Sequence, residues 1–233
     1  MSSTQASLSN IRREFERVAP DVVRQASAFA SSILADVAGR RGAMDARIAP
    51  LSHSARIAGP AFTVEVRPGD NLMIHAAMAM ARPGDVLVID GKADRTCALM
   101  GAIMMTTCQK LGFGGVILDA ALRDTEELLE LGFPVYAIGA NPNGPTKGVG
   151  GRINWPVSCG GVVVNPGDLV VADADGVVVV EREKAASLLG LADKKLADER
   201  GRIADILAGK NIQPSWLDGA LRAAGVLKQD ETL

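Results

Sequence analysis

The sequence predicts a single mixed α/β domain, because strand-like and helix-like apolar patterns alternate through most of its 233 residues. Short runs rich in Val, Ile and Leu are bounded by Gly, Pro, Asn and Asp, which is typical of buried strands. Between several of these runs the apolar positions recur every three to four residues, which is typical of packing helices. The predicted strands cover residues 61–66, 86–89, 116–118, 135–138, 162–164, 169–172 and 177–180.

Helices are predicted at both ends of the chain and between the strands. An N-terminal helix over about 18–38 carries one apolar stripe, formed by Val22, Ala26, Phe29, Ile33 and Val37. A C-terminal helical extension covers about 181–233, and its first helix runs over 181–210. The helices between strands are predicted over 71–81, 94–111 and 124–132. One domain over 1–233, with a helix at each end, accounts for this pattern.

The triplet Pro-Gly-Asp occurs three times beside predicted strands, at 68–70, 83–85 and 166–168. Pro presets φ at the second turn position and Gly supplies positive φ at the third, so each triplet predicts a type II turn. Asp70 is also placed to cap the helix that follows it. The Gly/Pro/Asn-rich segment 139–151 predicts a connection or a lid over a site.

One carboxylate breaks the apolar stripe of the C-terminal helix. Glu199 lies three residues after Leu196 and four before Ile203, so it falls on the face that also carries Leu189 and Leu207. A snorkelling or ion-paired side chain explains this position, and so does a functional acid. Periodicity alone favours the first interpretation.

Composition excludes several classes of function. The formal net charge is -2 without a long block of one sign, which argues against a nucleic-acid partner. Three Cys and two His lack zinc-site spacing, so a metal here is expected to be a hard ion held by oxygen. A secretory signal and an apolar run of about 18 residues are both missing from the sequence, which predicts a cytoplasmic protein without a membrane span.

Three catalytic motifs are also excluded. Gly112-Phe-Gly114-Gly115 precedes a strand, which reverses the order of a dinucleotide-binding loop. Gly144-Pro-Thr-Lys147 lacks the Gly-Lys-Ser/Thr ending of a phosphate-binding loop, and the chain contains no Gly-x-Ser-x-Gly motif. His75, in the predicted helix 71–81, is expected to be structural.

The pair Arg123-Asp124 follows a buried strand and precedes a helix. Ligands of α/β proteins bind just beyond the carboxyl ends of strands. The pair therefore suggests a binding site in which Arg123 holds a ligand's carboxylate with two hydrogen bonds. Asp124 would offer an oxygen to a hard divalent cation. A second interpretation stays open, because Asp124 and Glu127 have the spacing of a helix capping box.

Several segments together resemble one family, which contains regulator of ribonuclease activity A (RraA) and the 4-hydroxy-4-methyl-2-oxoglutarate/4-carboxy-4-hydroxy-2-oxoadipate (HMG/CHA) aldolases. The resemblance extends over most of residues 20–180, and its Arg-Asp pair is more specific than its glycine turns. It rests on Pro-Gly-Asp-Asn-Leu at 68–72, Gly84-Asp-Val-Leu-Val-Ile-Asp90-Gly91, Gly101-Ala-Ile-Met104, Gly115-Val-Ile-Leu-Asp119-x-x-x-Arg123-Asp124, Phe133-Pro-Val-Tyr136 and Asn141-Pro-Asn-Gly-Pro-Thr-Lys147.

The resemblance implies a compact α/β/β-type sandwich related to swivelling phosphohistidine domains. It also implies a homotrimer or homohexamer with active sites at subunit interfaces. The implied activity is that of a class II pyruvate aldolase, which uses Mg²⁺ or Mn²⁺ and acts on a small oxo acid. Oxaloacetate decarboxylation passes through the same enolate and is expected to accompany it.

Residue roles follow from the same resemblance. Arg123 is expected to bind the carboxylate and keto oxygen of the pyruvyl unit, and Asp124 to ligate the metal. Glu199, from a neighbouring subunit, is expected to reach the metal's water shell as a second catalytic residue. The substrate carboxylate is expected at a helix N-terminus, on the backbone N–H groups of Gly101, Ala102, Ile103 and Met104.

One position departs from the aldolase pattern. That pattern has an acid twenty-one residues before the arginine, and here position 123 − 21 = 102 is Ala102. The backbone donor survives this change, whereas an acid that orients the metal's water is lost. A metal-bound water or hydroxide is the candidate proton acceptor, and Asp90 and Asp94 remain open as the acid that orients it. Ala102 also favours the alternative function, a non-catalytic RraA-like regulator that binds a ribonuclease or another protein.

Overall fold

A computed structural model describes residues 10–228 and 230–233 of the chain. The described helices are α1 (Pro20–Ala26), α2 (Ser31–Val37), α3 (Leu72–Met78), α4 (Ala102–Lys110), α5 (Thr125–Leu131), α6 (Arg182–Leu207) and α7 (Leu217–Ala223). The described strands are β1 (Ala49–Pro50), β2 (Ile57–Glu65), β3 (Val86–Met100), β4 (Gly115–Leu122), β5 (Val135–Ala137), β6 (Arg152–Ile153), β7 (Val157–Cys159), β8 (Val162–Val164), β9 (Leu169–Asp173) and β10 (Gly176–Val180).

A sheet of eight strands organises the fold, in the order β1-β5-β4-β3-β2-β9-β10, with β6 paired to β2. Strands β2, β3, β4 and β5 are parallel neighbours, and the remaining pairs in this sheet are antiparallel. The carboxyl ends of the four parallel strands therefore meet at one edge, which is where α/β proteins place their ligands.

Two hydrophobic cores lie on opposite faces of this sheet. Successive residues of β3 alternate between them, with Leu87 and Ile89 in one core and Val86 and Val88 in the other. The first core includes residues of α3, α4 and α5, and the second includes residues of β7, β8, β9 and β10. Helices thus cover one face and strands the other, which confirms the mixed α/β fold and its α/β/β-type layering.

The predicted N-terminal helix over 18–38 is wrong in one respect, because two short helices replace it. The break falls between Ala26 and Ser31, where Asp173 of β9 accepts hydrogen bonds from Ser31 N (2.8 Å) and Ser31 Oγ (2.7 Å). Phe29, in the break, is still buried. A single apolar stripe therefore survives across two helices, which is why the spacing predicted one.

The helix predicted over 94–111 begins only at Ala102. Residues 94–100 extend β3 instead and resume its pairing with β4 after a bulge, as in the pairs Ala98↔Ala121 and Met100↔Leu122. Cys97, Met100 and Met104 are all buried, and their spacing imitates a helical stripe. This extension carries β3 to the edge where the other parallel strands end.

The chain separates into two compact units, Met1–Ala192 and Asp193–Leu233. The assignment of one domain over 1–233 with a C-terminal helical extension stays a prediction. Helix α6 begins in the first unit and ends in the second. Its apolar stripe is buried at Leu189 and Ala192, whereas Ile203 and Leu207 on the same stripe are exposed. Among the described residues, no helix is long and apolar enough to span a membrane.

The three Pro-Gly-Asp turns form as predicted, with φ between 77° and 87° at Gly69, Gly84 and Gly167. Each Asp backbone N–H donates to the carbonyl three residues earlier, at 3.0, 3.0 and 3.2 Å. The buried carboxylates differ in their partners. Asp85 pairs bidentately with Arg17, while Asp168 accepts from Asn165 N and Arg182 N.

Asp70 bonds to the start of α3, as predicted for a capping residue, and also to segment 139–151, which was not predicted. Its Oδ1 accepts from Leu72 N (3.0 Å) at the start of α3, but its Oδ2 accepts from Thr146 Oγ1 (2.7 Å), Gly148 N (2.7 Å) and Val149 N (3.2 Å) of segment 139–151. Burial alone raises the pKa of Asp70, and these four hydrogen bonds outweigh it and lower the pKa to about 2. The carboxylate therefore connects the second half of this segment to the start of α3.

Asp70→Asn should remove a pH-dependent part of the stability. Because folding lowers the pKa of Asp70 from 3.8 to about 2, the contribution is complete above pH 4 and is lost as pH falls through 2. The difference in unfolding free energy between wild type and variant is expected to be about 2 kcal/mol larger at pH 7 than at very low pH, with roughly half of this lost by pH 3.

Urea unfolding at pH 7, 5 and 3 measures this difference. Asp21→Asn, which alters an exposed carboxylate on α1, is the matched control and should show little pH-dependent change. A wild-type-to-D70N difference that stays constant from pH 7 to pH 3 would contradict the assignment.

Candidate functional site

A cleft of about 210 Å³ opens at the edge where the parallel strands end. The residues after β3 supply Gly101, Ile103 and Met104, and those after β4 supply Arg123 and Asp124. Helix α3, which follows β2, adds Asn71 and His75, and segment 139–151 after β5 adds Pro145 and Lys147. Four consecutive parallel strands thus deliver the walls of one cleft.

The carboxylate of Asp124 points to the neighbouring strand connection. Its Oδ2 accepts a hydrogen bond of 2.9 Å from Ala102 N, the first backbone donor of α4. Asp124 makes no side-chain cap to α5, so the capping-box interpretation is wrong. Its φ of 60° is a left-handed conformation, uncommon for a residue other than glycine and frequent at functional sites.

Arg123 and Asp124 lie side by side in the cleft. Arg123 Nε is 3.7 Å from Asp124 Oδ2, and their side chains are 44% and 35% exposed. A Cβ atom at Gly101 would come within 2.4 Å of Asp124 Oδ2, and one at Gly144 within 3.1 Å of Arg123 Nη1. Glycine at 101 and 144 therefore lets the backbone approach both charged groups closely. A residue larger than glycine at 101 would displace the carboxylate of Asp124.

The N-terminus of α4 adds backbone donors to this pair. Met105 N bonds to Gly101 O, and the earlier N–H groups have no acceptor within the helix. Ala102 N is taken by Asp124, which leaves the N–H groups of Ile103 and Met104 as the donors of the first turn. Of the four predicted backbone donors, that of Ala102 is thus already engaged.

Several lining residues were missed or misjudged from the sequence. His75, expected to be structural, is exposed and lines the cleft. Asn71 is buried, and its Nδ2 donates to Leu99 O (2.8 Å) and Met104 Sδ (3.4 Å). Its Oδ1 has no hydrogen-bond partner in the described chain. The available signal was position, since both residues follow a strand that ends at this edge.

The acids proposed to replace the missing one lie elsewhere. Asp90 is buried and pairs with Lys92 Nζ at 2.6 Å, and Asp94 accepts from Thr96 N and Thr96 Oγ1. Neither lines the cleft. Glu199 belongs to the second unit, where Lys195 Nζ lies 3.1 Å from its Oε1. Its expected role at the metal stays a prediction.

The residues present fit a hard cation held mainly by water. Within residues 10–228 and 230–233, no three His, Cys, Asp or Glu side chains converge as a metal site. Asp124 offers one carboxylate in the cleft, and Mg²⁺ is commonly bound by one or two carboxylates while keeping several waters. Asp124 is therefore the residue that would hold such an ion.

Thiol chemistry has little support in the described chain. All three cysteines are buried, and burial raises the pKa of Cys97 and raises that of Cys108 to about 12. A raised pKa leaves little of the reactive thiolate at neutral pH. The charged groups of the cleft are instead Arg123, Lys147 and Asp124, with the imidazole of His75 beside them.

The chain is similar in sequence to known proteins. The family model described as RraA-like, Aldolase/RraA, matches residues 20–179. A protein of Halalkalibacterium halodurans named "Putative 4-hydroxy-4-methyl-2-oxoglutarate aldolase" is 38% identical over 182 residues, covering 78% of this chain and 87% of that protein.

Two solved structures are similar as well. Streptomyces coelicolor RraAS2, described as an unusual member of the RNase ES inhibitor RraA family, has a TM-score of 0.74 at 28% identity and covers 81% of this chain and 99% of that one. The RNA-processing inhibitor RraA from Thermus thermophilis has a TM-score of 0.60 at 29% identity, with 64% and 91% covered. With this fold, this strand-edge pair and this match over 20–179, the chain belongs to the RraA-like (Aldolase/RraA) family.

Proposed function

We propose that this protein is a divalent-metal-dependent class II pyruvate aldolase that cleaves a 4-hydroxy-2-oxo diacid of the HMG/CHA type. The observation that carries the proposal is the placement of Arg123 and Asp124 beside the N-terminus of α4 in one cleft. An anionic oxo acid meets a guanidinium and helix donors there, and a cation meets a carboxylate.

Substrate binding follows from these donors. The substrate carboxylate is held by the N–H groups of Ile103 and Met104, where the helix dipole favours an anion. The guanidinium of Arg123 binds the keto oxygen and the same carboxylate through its planar set of donors. Mg²⁺ or Mn²⁺ held by Asp124 would supply further positive charge to the oxygen on which negative charge develops.

The cleavage step needs a proton acceptor at the substrate's C4 hydroxyl. We infer that His75 takes this role, because it places an imidazole, the side chain most often used as a general base, in the lining of the cleft. As the hydroxyl proton leaves, the C3–C4 bond breaks, a carbonyl forms at C4, and the electron pair becomes the pyruvate enolate. Arg123 stabilises the enolate oxygen, and protonation at C3 from solvent yields pyruvate.

The wider assignments are proposals of the same kind. Decarboxylation of oxaloacetate forms the same enolate and is expected as a second activity. A homotrimer or homohexamer is proposed, in which Glu199 of a neighbouring copy completes the site. Glu199 keeps its carboxylate half-buried beside Lys195, and it lies on a helix whose exposed residues Ile203 and Leu207 are apolar.

Pyruvate release from 4-hydroxy-4-methyl-2-oxoglutarate should require both the ion and its carboxylate. The wild-type protein is expected to release pyruvate with added MgCl₂ and to lose this activity with EDTA. Asp124→Asn is expected to lower the rate at least about a hundredfold, because the cation loses its protein ligand. A coupled lactate dehydrogenase assay measures the rate, and Glu127→Gln is the control for a charge change on α5. Absence of turnover with either metal would remove the aldolase assignment.

His75→Gln should separate the two proposed activities. Its rate with the hydroxy acid is expected to fall about a hundredfold, which is the scale of a lost general base. Oxaloacetate has no C4 hydroxyl proton to remove, so its decarboxylation should stay within about twofold of wild type. Parallel kcat measurements on the two substrates test this, with His53→Gln as the control. Equal losses on both substrates would show that His75 is not the proton acceptor.

The alternative function is a non-catalytic regulator that binds a ribonuclease. Ala102, which removes an acid from the cleft, and the likeness to structures described as RraA inhibitors favour it. If it is correct, the immobilised protein retains purified ribonuclease E. Failure to retain the ribonuclease would count against the regulator.

A further inference from the structure

Segment 139–151 is fastened to the sheet edge at two places. The first is on β3, where Asn141 Nδ2 donates to Arg95 O (2.7 Å), Asn143 Nδ2 donates to Thr96 O (3.1 Å) and Ala98 N donates to Asn143 O (2.8 Å). These bonds fix the beginning of the segment.

The second fastening is the buried carboxylate of Asp70. Three donors of the segment converge on its Oδ2, namely Thr146 Oγ1, Gly148 N and Val149 N. Backbone bonds from Asn71 N to Thr146 O (3.0 Å) and from Thr146 N to Gly69 O (2.8 Å) support this contact. Asp70 Oδ2 is therefore the one acceptor that Thr146, Gly148 and Val149 share.

The part of the segment that borders the cleft lies between the attachment at Asn143 and the attachment at Val149. Gly144 approaches the guanidinium of Arg123, and Pro145 and Lys147 line the cleft. Lys147 is flanked by Thr146 and Gly148, both of which donate to Asp70. The backbone of Lys147 is thus held on both sides by the same carboxylate.

We propose that Asp70 is a positioning residue for the cleft, which holds segment 139–151 so that the ammonium group of Lys147 stands opposite Arg123 as a second cation for the anionic ligand. This inference rests on the proposed function in taking an oxo acid as the ligand. Asp70 does not line the cleft, and it acts through Lys147.

An aspartate is required at position 70 because its side chain is the acceptor in all four of its hydrogen bonds. One oxygen receives Leu72 N and the other receives three donors of the segment. An asparagine has the same size but carries an NH₂ group in place of one oxygen. In either orientation this NH₂ group faces at least one backbone N–H, so the segment or the start of α3 must move.

The chain offers a matched control in its third Pro-Gly-Asp turn. Asp168 is equally buried, follows the same Pro-Gly pair, and accepts from Asn165 N (2.9 Å) and Arg182 N (3.1 Å). It has no bond to segment 139–151. Asp168→Asn therefore reproduces the damage to a turn without the damage to the segment.

The test combines amide hydrogen exchange with binding of oxalate, a planar mimic of the pyruvate enolate, in the presence of MgCl₂. Asp70→Asn is expected to speed exchange in peptides covering 146–149 and to weaken oxalate binding about tenfold, or about 1.4 kcal/mol. Lys147→Met should weaken oxalate binding to a similar extent and leave exchange at Gly148 and Val149 unchanged. The double variant should bind no more weakly than Lys147→Met alone, because Asp70 acts through this lysine.

The outcomes separate the two proposals. Unchanged exchange in Asp70→Asn, additive losses in the double variant, or an equal loss of oxalate affinity in Asp168→Asn would each overturn the positioning role, as would a wild-type protein that binds no oxalate. If the variants behave as expected while the hydroxy acid is not cleaved, the positioning role stands and the aldolase assignment fails.

Discussion

The hydrogen bond from Ala102 N to Asp124 Oδ2 is the interaction on which the cleft depends. It joins the end of β3 to the end of β4 and directs a carboxylate to the first turn of α4. The bond constrains the sequence around it. Position 101 must lack a side chain, because a Cβ there would meet the carboxylate at 2.4 Å. Asp124 must adopt positive φ, and α5 gives up its own side-chain cap. These local costs indicate that the placement of the carboxylate, rather than the stability of α5, determines the geometry.

The identity of residue 102 separates two properties of the cleft. The bond to Asp124 uses only the backbone of residue 102, so alanine keeps the arrangement of Asp124 against the first turn of α4. An acidic side chain at 102 would add a proton acceptor, and alanine removes it. In the proposed aldolase reaction, proton transfer would therefore use another element, and α3 brings His75 to the same cleft. The binding geometry and the proton-transfer chemistry can thus differ independently among proteins of this fold.

The sequence predicted most of the strands and the Arg123-Asp124 pair, because short apolar runs and strand-exit positions are local signals. It failed where a tertiary contact decided the structure. The helix predicted from 94 is strand as far as Met100, because pairing with β4 outweighs a helix-like spacing of buried side chains. The N-terminal helix breaks where a carboxylate of β9 takes the donors of Ser31. The sequence did not predict that His75 and Lys147 line one cleft, since only the fold shows that α3 and segment 139–151 meet at one edge.

The three Pro-Gly-Asp triplets show why local sequence cannot assign such roles. All three form the same turn and bury the aspartate, so the triplet itself does not distinguish them. Their partners differ because each carboxylate takes whichever donors the fold brings to it. Asp85 accepts hydrogen bonds from the guanidinium of Arg17, and Asp168 accepts one from the backbone N–H of Arg182 at the start of α6. Neither partner lines the cleft. Asp70 receives a segment that borders the cleft. A buried acceptor needs hydrogen-bond donors wherever it lies in the fold. At Asp70 the donors come from segment 139–151, so the same structural requirement also fixes a wall of the cleft.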